Sequence, residues 1–121
     1  MIERRIALGF IHSRKFINKT LSKFDKEYIE VGNLAIIISW CVDYYKANGK
    51  SPRHDLVFEF GKWVERSRDP DQVVLVEDLM YSLLDERMPA DIPYLIDETL
   101  KYFDKKRLLI LGKRITDSAK R

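Results

Sequence analysis

Apolar residues recur along most of this chain at intervals of three or four, which is the period of an α-helix. The pattern is most extended over the final stretch, Asp91–Arg121. At about 100° per residue, one face of that stretch carries Ile92, Ile96, Leu100, Phe103, Ile110 and Leu111, with Thr99 and Arg107 among them and Leu95 and Ile115 on its two edges. A helix of this length extends about 45 Å at about 1.5 Å per residue, more than the width of a small domain. We therefore expect its far end to contact something beyond its own domain.

The earlier segments predict shorter helices that pack together. The first three predicted helices are Ile2–Ser13, Lys15–Leu21 and a central one over Leu34–Tyr45. A fourth begins at Ser51-Pro52, with its apolar stripe at Leu56, Phe60, Trp63 and Val64. A fifth begins at Asp69-Pro70 and is expected to bury Val73, Val76, Leu79, Met80 and Leu83. Asn48-Gly49 is a good stop for the central helix, which we expect to be the most buried element. Gly9 lies inside the first helix and indicates a close packing contact there.

These elements predict an all-α fold, since no segment shows a convincing strand-like alternation. The expected organisation is a compact helical bundle over residues 1–90, followed by a long helix over residues 91–121. The absence of a long apolar run argues against a signal peptide or a membrane span, so we expect a cytoplasmic protein.

The charge is distributed unevenly along the 121 residues. The net charge is +5 over residues 1–23, −8 over residues 24–100 and +6 over residues 101–121. Basic ends can bind nucleic acid, through candidate residues Arg4, Arg5, Lys113 and Arg114. Alternatively, the oppositely charged parts attract each other or another subunit's acidic surface. The second interpretation is favoured, because neither end interleaves aromatic with basic residues as single-strand binders do.

No pattern in the chain predicts a catalytic, cofactor or metal site. Gly49-Lys50-Ser51 resembles the end of a phosphate-binding loop, but that motif requires glycine at position 44, where this chain has Tyr44. The lone Cys41 lies in an apolar run and is expected to be a small buried hydrophobe. His12 and His54 have no paired spacing with it, which argues against structural zinc.

Arg107 is the unusual residue of the last helix, because it lies within the apolar face. Burying an unpaired guanidinium costs several kcal/mol. Arg107 therefore either extends to the edge of the stripe or meets a carboxylate of a partner helix.

The segment Pro93–Ala119 resembles the first arm of the helical hairpin in the N-terminal domain of DnaB-type replicative helicases, including phage forms. The shared pattern is an aromatic-apolar pair, Tyr94-Leu95, an amphipathic stretch, then Arg107-Leu108-Leu109, and a close at Ile115 and Ala119. Earlier parts of the chain are similar to that family in the same order: Glu3 to Leu8-Gly9, Phe16-Ile17, Phe24 to Tyr28, and Ile36–Tyr45 with its exit at Asn48 to Pro52.

The chain departs from the family in two respects. It has Ser51-Pro52-Arg53-His54-Asp55 where DnaB proteins commonly place Val-Asp. The second hairpin arm, the linker and the ATPase motor are missing, so we expect either a fragment cut in mid-hairpin or a stand-alone relative.

The resemblance implies a collar module of a hexameric helicase. In the family the hairpins pair between subunits, as dimers, trimers of dimers or hexamers, and the collar docks primase or a helicase loader. ATP and Mg belong to the motor, as does most contact with DNA, so this chain alone is expected not to be an enzyme. The predicted partner interface consists of Leu100, Phe103, Arg107, Leu108, Leu111 and Ile115. The alternative is a small basic helical protein that binds nucleic acid, or a primase-related protein that interacts with the helicase.

Overall fold

The computed structural model describes residues 1–119 and is all-α, with 83% of residues helical and no strand among those it describes. The helices are α1 (Ile2–His12), α2 (Arg14–Thr20), α3 (Gly32–Asn48), α4 (Leu56–Arg66), α5 (Pro70–Asp85) and α6 (Ile92–Ala119). Three short 3-10 turns, Leu21–Lys23, Lys26–Tyr28 and Arg53–Asp55, lie between them. The all-α prediction and the long last helix are therefore confirmed. The last two positions of the predicted 91–121 helix lie outside the described residues.

Residues at the helix ends explain where most of these elements start and stop. The Asp69 carboxylate accepts hydrogen bonds from the amides of Asp71 and Gln72, at 3.1 and 3.2 Å, and so caps α5. The last turn of α3 ends at Gly49, whose φ of +70° is a left-handed conformation that glycine adopts at little cost. Both signals are correctly predicted from the sequence.

The predicted start of α4 is wrong. Ser51 and Pro52 were expected to cap and open this helix, but a 3-10 turn over Arg53–Asp55 intervenes and the α-helix begins at Leu56. Arg53 has a φ of +50°, which is incompatible with a continuous right-handed helix from Pro52. The apolar stripe is nevertheless placed as predicted, with Leu56 and Phe60 buried.

The predicted central segment, Leu34–Tyr45, and the first predicted helix, Ile2–Ser13, are equally buried, with seven buried residues each. α1 packs against α2, α3, α5 and α6, whereas α3 packs mainly against α1, α4 and α5. The two helices therefore share the centre of the bundle. Ile37 and Trp40 of α3 are buried as expected.

Gly9 makes the close contact that its place in α1 indicates. A Cβ atom at this position would lie 2.5 Å from the ring of Phe16, well inside van der Waals contact. The Phe16 ring packs edge-on against Phe10, with ring centroids 5.4 Å apart. Only a glycine allows α2 to fold back this tightly on α1.

A candidate assembly face on the last helix

The first half of α6 belongs to the domain core. Leu95, Thr99 and Phe103, spaced four residues apart, are at most 2% exposed. The Phe103 ring lies 5.6 Å from that of Phe24 and 5.7 Å from that of Tyr28, measured between centroids. This half of α6 is therefore a structural part of the bundle.

A buried carboxylate fastens α6 to the opposite end of the chain. Glu3, 4% exposed, accepts hydrogen bonds from the amides of Glu30 and Val31 at 2.9 and 3.0 Å, and from the Tyr102 hydroxyl. Burial by itself raises the pKa of Glu3, but these hydrogen bonds and the nearby Lys106 ammonium outweigh it and hold that pKa below its ordinary value of 4.5. The carboxylate is thus ionised at neutral pH and ties three segments together.

Sequence reasoning did not single out Glu3, although a signal was present. Glu3, Ala7 and Phe10 follow the spacing of one helical face, and both Ala7 and Phe10 are fully buried. A charged residue on an apolar face is the signal that drew attention to Arg107. The backbone amides that satisfy Glu3 lie nearly thirty residues away, and local periodicity does not identify them.

Ion pairs extend this attachment along the same side of α6. Lys106 pairs with Glu30 and lies over the Tyr102 ring, 5.5 Å from its centroid. Arg114 pairs with Glu27 at 3.2 Å. These contacts join the basic end of the chain to its acidic middle, which is one of the two arrangements that the uneven charge suggested.

The opposite side of the second half of α6 is apolar and exposed. Leu108, Leu111 and Ile115 are 58%, 47% and 62% exposed. At about 100° per residue they project from the side of the helix facing away from Thr99. We call these three residues the outer seam. Their spacing of three and then four residues is that of the contact seam between paired helices.

The outer seam stops where the domain core begins. The same side of the first half of α6 carries Asp97, Lys101 and Asp104, which are exposed. Lys101 pairs with Asp97 at 3.2 Å. Both side chains are exposed, so this part of the helix surface is charged and solvated rather than apolar. The outward side of α6 is therefore charged from Asp97 to Asp104 and becomes apolar at Leu108.

The structure separates the six predicted interface residues into two groups. Leu108, Leu111 and Ile115 form the outer seam, whereas Leu100, Phe103 and Arg107 line a groove of about 690 Å³ between α6 and the segment joining α2 to α3. Phe103 is only 1% exposed and packs in the core of its own domain, so its prediction as a partner contact requires correction. Its ring fills space under the Phe24 and Tyr28 rings.

Arg107 is not buried, and it forms no ion pair with a carboxylate of another helix within residues 1–119. Its side chain is 56% exposed and lies 3.6 Å from Asp104, one turn earlier on the same helix. The apolar face to which the sequence assigned it is buried only in its first half, at Thr99 and Phe103, and is exposed at Arg107 and Leu111. Arg107 thus lies at the boundary between the groove and the outer seam.

The four candidate nucleic-acid contacts do not form one surface of free cations. Arg4 pairs with Glu86 at 2.8 Å and also donates to the Ser82 hydroxyl, and Arg114 pairs with Glu27. Arg5 and Lys113 are exposed. Two of the four residues are therefore engaged with acidic side chains of the same chain.

The residues with reactive side chains do not converge. Burial raises the pKa of the Cys41 thiol, which keeps it in the un-ionised form. His12 places a ring nitrogen 3.0 Å from the carbonyl oxygen of Leu83. Within residues 1–119, no group of three or more His, Cys, Asp and Glu side chains is placed to hold a metal ion. Over the same residues, no helix is long and apolar enough to cross a membrane.

Comparison of the chain with family models, with curated proteins and with solved structures found no match.

Proposed function

We propose that this chain is an assembly module that self-associates through the outer seam of α6. The observation that carries the proposal is the exposure of Leu108, Leu111 and Ile115 on the side of α6 opposite the domain. Full burial of one such side chain contributes about 1.5–3 kcal/mol, so three of them at one contact supply a substantial driving force. Single exposed apolar residues are common on protein surfaces, but three in a helical seam favour a binding face.

The attachment of the inner side of α6 supports this role. Glu3, Tyr102 and Lys106 hold the helix to the bundle, and Arg114 pairs with Glu27 further along. A helix fixed on one side presents its other side with little loss of conformational entropy on binding. Gly112 lies between Leu108 and Ile115 with open space around it, which lets a partner helix approach closely.

The particular assembly we propose is the N-terminal collar of a DnaB-like replicative helicase. The sequence resemblance supports this assignment, together with the succession of a helical bundle and one long final helix. The collar would mediate subunit association and dock primase or a loader during DNA replication. ATP hydrolysis, with its Mg, would reside in a motor domain of the parent protein, and this chain would carry no catalytic role of its own.

Sedimentation velocity over a range of protein concentrations tests the self-association. The wild-type chain should form oligomers, and Leu111→Asp should weaken association at least about tenfold, since about 1.4 kcal/mol corresponds to tenfold. Leu75→Asp is the matched control, because Leu75 is an exposed leucine on α5, 59% exposed. A wild-type chain that stays monomeric at high concentration, or equal weakening by both variants, contradicts the seam.

The assignment to a helicase is tested separately from the seam. The coding DNA beyond the codon for Arg121 should continue through a second hairpin arm into the motif G-x-x-x-x-G-K-[ST] of an ATPase motor. A stop codon directly after Arg121, with no motor gene product that binds this chain, argues against a collar role. Neither outcome of this test affects the conclusion that sedimentation gives about self-association.

A further inference from the structure

A second concave surface lies where the exit of α3 meets the starts of α2 and α4. Its volume is about 450 Å³, and it is lined by Arg14, Lys50, Ser51, Pro52, Arg53, His54 and Asp55. We propose that this surface, the basic pocket, binds a phosphate group through Arg14, Lys50 and Arg53. The proposal is independent of self-association, because no residue of the basic pocket lies on α6.

The three cations of the basic pocket form no ion pair within residues 1–119. Arg14, Lys50 and Arg53 are exposed, and none takes part in the ion pairs found within residues 1–119. Arg4 and Arg114, by contrast, are each paired with a glutamate. Three cations against one carboxylate, Asp55, on a concave surface create a positive potential that attracts anions.

The single carboxylate in the lining is already engaged. Asp55 accepts a hydrogen bond of 2.6 Å from the Tyr44 hydroxyl on α3. This bond satisfies one carboxylate oxygen and draws the group toward α3. The acidic residue therefore offsets only part of the positive charge, and the three cations stay available to a ligand.

Neutral donors complete the basic pocket. The Ser51 hydroxyl makes no side-chain hydrogen bond within residues 1–119, and its oxygen reaches solvent, because among these residues only the Thr99 hydroxyl is both buried and without a partner. The Ser51 hydroxyl can therefore donate to a phosphate oxygen in the basic pocket. Arg53 is left-handed, with a φ of +50°, and Pro52 before it has no N–H, so this turn can offer an anion only the amides that follow Pro52.

The chemistry of the lining selects phosphate rather than a nucleobase. Guanidinium groups match phosphate oxygens with two parallel hydrogen bonds, and the Lys50 ammonium adds a point charge. No Phe, Tyr or Trp ring is among the lining residues, and the imidazole of His54 is the one ring there, so charge rather than stacking dominates this surface. Lys50 and Ser51 of the Gly49-Lys50-Ser51 segment thus line a phosphate site. That site differs from a nucleotide-binding loop, which would require glycine at position 44.

Amide chemical shifts measured by NMR at low salt test the proposal, with inorganic phosphate and a short oligothymidylate as probes. Saturable shifts are expected at the amides of Lys50, Ser51, Arg53 and His54. Lys50→Gln/Arg53→Gln should weaken binding at least about tenfold, as expected for the loss of two charged contacts. Asp55→Asn should strengthen binding by removing the only carboxylate.

The control variant is Lys62→Gln/Arg66→Gln, which removes the same charge from α4 outside the basic pocket. It should bind phosphate as the wild type does, so that a general charge effect is distinguished from a site. All the substituted positions are exposed, and circular dichroism checks that each variant is folded.

The two probes distinguish the source of the phosphate. Tighter binding of the oligonucleotide, falling steeply with salt and lost with an uncharged methylphosphonate backbone, supports a nucleic-acid backbone as the ligand. Equal affinity for inorganic phosphate supports a free phosphate group. Absence of shifts at residues 50–54 in a folded protein, or equal weakening in the double variant and its control, overturns the proposal.

Discussion

The hydroxyl of Tyr102 donates a hydrogen bond to the carboxylate of Glu3, although the two residues are ninety-nine positions apart in the chain. Glu3 also accepts the amides of Glu30 and Val31, which lead into α3. One buried carboxylate therefore links the first helix, the start of the third and the last. Its ionised form stabilises the arrangement in which α6 lies across the bundle with its outer seam exposed.

Replacing Glu3 should destabilise the fold substantially. Glu3→Ala leaves two backbone amides and one hydroxyl without their acceptor, and we expect the free energy of unfolding to fall by about 2–3 kcal/mol. Tyr102→Phe removes one of the three donors and should cost about 1 kcal/mol. Urea denaturation followed by circular dichroism measures both. A loss of less than about 0.5 kcal/mol in Glu3→Ala would show that the network contributes little.

The same carboxylate should make stability depend on acidic pH. The pKa of Glu3 in the folded chain lies below 4.5, so its contribution is complete above that value and is lost as the pH falls through the folded pKa. The difference in unfolding free energy between the wild type and Glu3→Gln should be constant near neutral pH and shrink below about pH 4.5. Denaturation at a series of pH values measures it. A difference that grows on acidification contradicts the lowered pKa.

Two glycine substitutions should have opposite effects. Gly9→Ala places a Cβ atom 2.5 Å from the Phe16 ring and should destabilise the chain by about 1–3 kcal/mol through overpacking. Gly61→Ala, in the exposed part of α4 with open space around it, should stabilise by about 0.5–1 kcal/mol through helix propensity. Thermal unfolding separates them. If both substitutions stabilise the chain, α1 and α2 do not meet at Gly9.

Two substitutions in α6 should separate folding from assembly. Phe103→Ala removes a buried ring and should cost about 3–5 kcal/mol of unfolding free energy. Leu108→Ala lies in the exposed seam and should change that free energy by less than about 0.5 kcal/mol while weakening association. Denaturation at low protein concentration, with sedimentation at high concentration, measures the two effects. A large stability loss in Leu108→Ala at low concentration would place this residue in the core instead.

The helices themselves were predictable from the sequence because their signals are local. The apolar period, the Asp69 cap and the left-handed stop at Gly49 each depend on a few neighbouring residues. The start of α4 was missed for a related reason: Ser51-Pro52 has the composition of a helix start, and the left-handed Arg53 that interrupts it has no local signature. The close contact at Gly9 was also indicated locally, by a glycine inside a helix. The sequence did not indicate that Phe16 is the residue that it contacts.

Only the tertiary structure decided which side of each helix is buried and which is exposed. By itself, the sequence determined an all-α chain whose last helix is longer than a small domain is wide. The packing of α6 on α1 and α2 then buried Phe103 and left Leu108, Leu111 and Ile115 outside. Periodicity specifies positions around one helix, whereas burial depends on residues far away in the chain, such as Glu3. For that reason the sequence placed Phe103 and Leu111 on one face of α6, and only the structure showed that Phe103 is buried and Leu111 exposed.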